Sequence, residues 1–208
     1  MALKSKKQLP YFFTESPNDT KVLRGTVIMP DISGFSKFVE NIDVETGKII
    51  ISKLLNVIVK NNILDLQISE IEGDAILFYK FGKAIPVSKI LKQYELIYTA
   101  FFQEIDRLKE QYKAINFDLS IKLIAHFGYF AKFNVGTFEK LYGKTVVEIH
   151  RLLKNSISGK EYVLITNSLI KNTEDKSTLS SQKYMVKEGF EIYDENSKIN
   201  YTYFKSKK

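Results

Sequence analysis

Gly25-Thr26-Val27-Ile28-Met29-Pro30-Asp31-Ile32-Ser33-Gly34-Phe35-Ser36 holds an apolar run, an aspartate and a glycine in close succession. The run reads as a buried strand over about Val22 to Met29, which delivers Asp31 into a tight turn. That turn opens a short helix from Gly34 to about Glu40. The backbone N–H groups of Ser33, Gly34 and Phe35 then face outward at a helix start, where an anion binds well. A second acid follows the same logic. Leu66-Gln67-Ile68-Ser69-Glu70-Ile71 leads through Glu72-Gly73 to Asp74, and another apolar run, Ala75 to Phe81, begins at once. Two strands joined by a glycine-containing two-residue turn form a hairpin, with Asp74 near its tip. Two carboxylates and a phosphate-ready helix start suggest a magnesium–triphosphate site. The plainer reading is that Asp31 caps the Phe35 helix and Asp74 serves the hairpin turn.

Outward from these two stretches the chain alternates helices and hairpins. Residues 1–20 read as a flexible leader, with Pro10, Pro17 and the turn signal Ser16-Pro17-Asn18-Asp19. A helix from about Val44 to Asn62 carries Ile49, Ile50, Leu54, Val57 and Ile58 at helical spacing. Pro86 opens a long helix to about Tyr112, with Ile90, Leu91, Tyr94, Ile97, Tyr98, Phe101, Ile105 and Leu108 along one face. Phe117 to Phe127 alternates as a strand, with Tyr129 to Phe138 as its hairpin partner. Gly143-Lys144-Thr145 introduces a helix to about Asn155. The strand Glu161–Thr166 and a short helix at Ser168–Ile170 come next. The tail from Tyr184 to Phe204 reads as two or three antiparallel strands. This order predicts an α+β fold in one domain, residues 21–208, with an antiparallel-rich sheet covered by helices on one face.

Composition narrows the function classes. The chain has 208 residues and no cysteine, which excludes disulfides and thiolate metal sites and fits a cytoplasmic protein. Two histidines, His126 and His150, leave little for a histidine-based metal cluster. No apolar run is long enough to span a bilayer. The net charge of +7 favours anionic partners, but the lysines are scattered. With no platform of aromatics and arginines, nucleic acid is not an expected partner.

Taken together, Asp31-Ile32-Ser33-Gly34-Phe35-Ser36, Glu72-Gly73-Asp74, His126-Phe127-Gly128, Gly143-Lys144-Thr145-Val146 and Arg151-Leu152 resemble the class III nucleotide cyclases. These are adenylate and guanylate cyclases with a ferredoxin-like catalytic core, and the likeness is greatest to a short bacterial branch of largely unassigned function. It covers about residues 22–205. The resemblance implies that Asp31 and Asp74, with the carbonyl of Ile32, hold two Mg2+ or Mn2+ ions. It implies that Arg151 stabilises the transition state, that Lys198 helps to bind the triphosphate, and that Glu70 and Lys140 fall at the base-reading places. His126 corresponds to a family histidine of the sheet core. The family's sites form between the subunits of a head-to-tail homodimer. The implied activity is Mg-dependent conversion of a nucleoside triphosphate to a 3′,5′-cyclic nucleotide and pyrophosphate. Two departures favour the alternative of a weak or inactive cyclase-fold nucleotide-binding or dimerisation module. Val147 stands where the family has a ribose-holding asparagine. The pair Glu70 and Lys140 fits neither purine pattern: it either reads another base or forms a salt bridge.

Overall fold

Strand β1 (Leu23–Ser33) is the spine of the molecule. The computed structural model describes residues 21–173, 183–194 and 197–207; the leader expected at 1–20 lies outside them. After β1 come α1 (Phe35–Glu40), α2 (Val44–Lys60), β2 (Gln67–Glu72), β3 (Ala75–Phe81), α3 (Val87–Gln111), β4 (Ser120–Val135) and β5 (Phe138–Tyr142). The chain continues through α4 (Lys144–Leu152), β6 (Val163–Thr166), α5 (Asn167–Asn172), β7 (Tyr184–Ile192) and β8 (Lys198–Ser206). The strands form one sheet in the order β2-β3-β1-β4-β6-β8-β7, and β5 pairs with the far end of β4. All pairs are antiparallel except β4 with β6. The first four strands, in the order β2-β3-β1-β4 with helices between β1 and β2 and between β3 and β4, make the ferredoxin-like βαββαβ unit. The expected α+β, antiparallel-rich sheet is therefore present.

The helices form where the sequence gives both a start signal and an apolar stripe. Asp43 caps α2 by accepting from Thr46 N at 2.9 Å. Pro86 precedes α3, whose Val87, Ile90, Leu91, Tyr94, Ile97, Phe101, Ile105 and Leu108 are buried at three- and four-residue spacing. The buried stripe of α2 is Ile50, Ile51, Leu54 and Ile58. Ile49, which the spacing had placed inside, is half-exposed because Ile51 takes the inward position. Buried Gln93 ties α3 to the turn after α2: its amide donates to Asn61 O, and its carbonyl oxygen accepts from Leu64 N at 3.2 Å. Both polar atoms of the buried Gln93 amide thus have a partner.

The helices cover both faces of the sheet, not one. Ile28, Ile32, Phe78, Leu123 and Ala125 face α2 and α3, with Leu169 of α5 in the same core. Val27, Met29, Leu77, Ile124 and Leu164 face the other way, against Ile149 and Leu152 of α4. Strict alternation along a strand sends neighbouring residues to opposite cores, so every central strand is apolar on both sides.

Two strands run longer than their patterns suggested. β1 passes Pro30 and carries Asp31 within the sheet instead of into a turn. Its ladder with β4 is continuous from Leu23 to Ser33, whereas the ladder with β3 skips Met29 and Pro30, since proline has no N–H to give. β4 likewise continues through Gly128, and its hairpin partner is β5, not Tyr129–Phe138. Gly128 does not break the strand; it makes room for α4. A Cβ there would stand 2.3 Å from Thr145 Oγ1, which donates to Tyr129 O at 2.9 Å.

Candidate functional site

Asp31 and Asp74 meet at the end of β1. The hairpin of β2 and β3 turns through Gly73 and Asp74 as expected, with Glu72 opposite Ala75. Asp31 in turn lies opposite Ala75, so the hairpin tip reaches the end of β1. Ile32 N donates to Asp74 O at 3.1 Å and fixes the two segments together. The Asp31 side chain shares the alternation of Val27 and Met29, toward α4, and the residue is only 8% exposed. Burial pushes the Asp74 carboxyl up to about 6, and the negative charge of Asp31 adds to the shift. A half-buried carboxyl held up in this way lacks enough positive charge around it.

The positive charge that is present belongs to Lys122, opposite Asp31 on β4. Its ammonium lies 3.0 Å from Asp31 Oδ2, and both side chains are largely buried. It also donates to Leu153 O at 3.2 Å, just past α4. The sequence reading missed this residue, although a lysine inside Ile121-Lys122-Leu123-Ile124-Ala125 was a visible signal. Only the β1–β4 register shows that it faces Asp31.

Ser33, Gly34 and Phe35 pack tightly here. Ser33 Oγ donates to Lys160 O at 3.1 Å. Gly34 takes φ +91°, and a Cβ there would fall 2.3 Å from Asp118 O, so no other residue fits without a shift. The Phe35 ring approaches Gly73 at the hairpin tip. The short helix α1 that follows is six residues long and buries Phe38. A cation stands beside this turn: Lys160 Nζ is 3.7 Å from the place of that Gly34 Cβ and 2.6 Å from Asp118 Oδ1.

The remaining expected residues form separate groups. Glu70 of β2 and Lys140 of β5 make a close ion pair, and His150 Nε2 lies 3.5 Å from the other Glu70 oxygen. His150 is fixed by donation from Nδ1 to Val146 O at 2.7 Å. Arg151, one residue on, pairs with Asp194 at 3.1 Å and lies over the Tyr193 ring. Lys198 lies over the Phe190 ring at 4.1 Å; its neighbours Ile199 and Tyr201 face α4, so alternation turns Lys198 to the opposite side of the sheet from Asp31. His126 is buried in the sheet, with Nε2 2.9 Å from Glu148 Oε2 and Nδ1 2.8 Å from Thr166 Oγ1. It ties α4 to β4 and β6. Within one chain, Asp31 and Asp74 come together, Glu70 and Lys140 come together, and Arg151 contacts neither pair.

The model of a family described as a protein of unknown function, DUF2652, matches residues 51–162. That span contains Glu70, Asp74, Lys122, Lys140 and Arg151 and begins after Asp31. No curated protein matches the sequence. Among solved structures, the chain is similar to the adenylyl cyclase CyaB from P. aeruginosa, with a TM-score of 0.69 at 18% identity over 91% of this chain and 97% of that one. The guanylyl cyclase Cya2 gives 0.64 at 14% identity over 89% and 92% of the two chains. The guanylate cyclase domain of RhGC from Catenaria anguillulae gives 0.59 at 16% identity over 90% and 100%. At these identities the likeness is one of fold. With its model matching more than half of the length, the chain belongs to the DUF2652 family of proteins of unknown function, built on the fold of the class III adenylyl and guanylyl cyclase catalytic domains.

Proposed function

We propose that this protein binds a nucleoside triphosphate through a divalent cation and converts it to a 3′,5′-cyclic nucleotide and pyrophosphate. The observation that carries this reading is the meeting of Asp31 and Asp74 at one end of the sheet, joined by the Ile32–Asp74 backbone bond. Their oxygens suit Mg2+ or Mn2+, and the raised Asp74 carboxyl is what a cation in that place would lower. Lys122 already holds one Asp31 oxygen, so the donor set fits one ion more readily than two. A bound ion would neutralise phosphate charge and help the ribose 3′-hydroxyl to ionise. The 3′-oxygen bonds to the α-phosphorus as the bond to the β-phosphate oxygen breaks, and pyrophosphate leaves. Lys160, beside Gly34, offers a further positive charge to the triphosphate.

Arg151 joins this chemistry only from a second subunit, because in its own chain it holds Asp194. The β4–β5 arm supports such a dimer. Phe133, Val135, Phe138 and Tyr142 share one side of it, and Phe138 and Tyr142 are 72% and 74% exposed. An apolar surface of that kind marks an interaction site. A second reading, nucleotide binding without turnover, is favoured by two observations: the Lys122–Asp31 pair and Val147, which is half-exposed on α4.

The test is incubation with each of the four ribonucleoside triphosphates and Mg2+ or Mn2+, with mass spectrometry of the products and Asp74→Asn as control. A cyclic product lost in the variant supports turnover and names the base. Metal-dependent nucleotide binding without product favours the second reading.

A further inference from the structure

On the α3 side of the sheet, a cleft of about 670 Å³ opens between the middle of α3, the segment before β6 and the paired ends of β7 and β8. Its volume lies in the range of small-molecule sites, which are mostly apolar with a few placed polar groups. Tyr94, Tyr98 and Tyr184 supply aromatic walls, and the first two rings are 5.8 Å apart. Lys92, Lys160, Lys183 and Lys205 also line it, against two acids, Glu95 and Glu161.

Both acids are already engaged. Glu161 accepts from Tyr98 at 2.9 Å. Glu95 accepts from Tyr184 at 2.5 Å and pairs with Lys183 at 2.7 Å. Burial pushes the Tyr98 phenol up to about 12 and raises that of Tyr184 further, so both stay neutral donors at neutral pH. The hydroxyls of Tyr98 and Tyr184 are taken up by these carboxylates and that of Tyr94 by Ile121 O at 2.9 Å, so the polar tips of all three wall tyrosines are already partnered. Lys205 donates to Ser158 O, and an ammonium with three N–H groups keeps others to give. Lysine stems add apolar wall while their charged ends stay at the rim. Lys160 is paired with Asp118 and Lys183 with Glu95, so the cleft presents aromatic and aliphatic wall with its surplus of positive charge on Lys92 and Lys205.

We propose that this cleft is a binding site for a small anionic ligand with a flat apolar body, an aromatic carboxylic acid being the simplest case. It is separate from the Asp31–Asp74 site and does not depend on the cyclase reading. The two share one wall: Lys160 lines the cleft, while its backbone carbonyl receives Ser33.

The probe is 2-naphthoate, titrated into the full chain by calorimetry, with 2-naphthalenemethanol as its uncharged counterpart. One saturable site per chain is expected, with a Kd of about 1 mM or tighter for a ligand of this size. The neutral analogue should bind at least about tenfold more weakly. Lys92→Glu combined with Lys205→Glu reverses rim charge and should weaken naphthoate about tenfold or more. Thr99→Trp, at an exposed position of α3, should fill the cleft and block it. Circular dichroism and melting of each variant establish that it is folded. Asp74→Asn should bind naphthoate unchanged. Equal binding of the neutral analogue, no saturable binding, or binding indifferent to both cleft changes overturns the proposal. Loss of naphthoate binding in Asp74→Asn overturns it too, since the acid would then occupy the other site.

Discussion

The two groups of charged residues on this chain differ in what surrounds them. Asp31 and Lys122 are a buried pair on central strands, each held by the register of β1 against β4. Arg151 and Asp194 form a pair with side chains 39% and 49% exposed, at the end of α4 and beyond β7. Burial makes the first pair part of the fold, because each charge stabilises the other only while both are present. Exposure leaves the second pair exchangeable, since water replaces either partner at little expense. Asp31 is therefore fixed before any ligand arrives, and the arginine is available to a new partner.

Breaking the buried pair should have the largest effect. Asp31→Ala removes the carboxylate 3.0 Å from Lys122 and leaves it only the Asp74 carboxyl, so urea unfolding should show a loss of about 3 kcal/mol. The double change Asp31→Ala with Lys122→Met should recover most of it, as a coupled pair requires. An additive double change would mean that the two residues do not interact in solution.

The next effect concerns the proposed metal site. Removing the resident cation with Lys122→Met should leave the site more negative and tighten Mn2+ binding at pH 7 about tenfold or more, read by the loss of the free Mn2+ resonance in an EPR titration. Bound Mn2+ should also raise the melting temperature of this variant, because the ion binds the native state. Unchanged or weaker Mn2+ binding would show that Lys122 supports the ion and does not compete with it.

Asp74 sharpens the comparison through pH. Its folded carboxyl titrates near 6 against 3.8 in the ordinary case, so the native state holds a proton that the unfolded chain has lost. Stability from this group is full below about pH 4 and falls as pH rises through about 6. Allowing for solvent screening, the loss is about 1–2 kcal/mol. Denaturation midpoints of the parent chain against Asp74→Asn between pH 4 and 7 should diverge by that amount, and Mg2+ should reduce the divergence if the ion binds here.

Much of this arrangement was legible in the sequence, and what was missed has one physical cause. Elements whose limits are local, such as the turn before Ala75, the start of α2 at Val44 and the α3 stripe, stand where their residues predicted. Elements whose limits depend on neighbours do not. Pro30 and Gly128 read as interruptions, yet β1 and β4 pass through both because the adjacent ladder and α4 accommodate them. The same limit applies to the site. Asp31 and Asp74 could be singled out because each ends an apolar run beside glycine. Lys122 could not be assigned to Asp31, for that contact exists only through strand register. Glu70 and Lys140 were left between a salt bridge and a base-reading pair; within one chain they form the salt bridge. The outward helix face of Val147 and Arg151 tells nothing about a second subunit.

The smallest expected effect is therefore also the most informative about the exposed pair. Arg151→Ala removes a half-exposed ion pair and a contact with the Tyr193 ring, and stability should fall by less than about 1 kcal/mol. The Asp74 pH dependence and the Mn2+ affinity of the isolated chain should stay as they were, because the arginine touches neither aspartate. If the protein cyclises a nucleotide, the same change should lower kcat about a hundredfold or more by removing charge stabilisation from the transition state. Mixing Arg151→Ala with Asp74→Asn would then restore part of the activity, because one of the two shared sites in each mixed dimer would be intact. A large loss of stability in Arg151→Ala would instead make Asp194 and Arg151 a structural pair, and the contrast between the buried and exposed groups would fail.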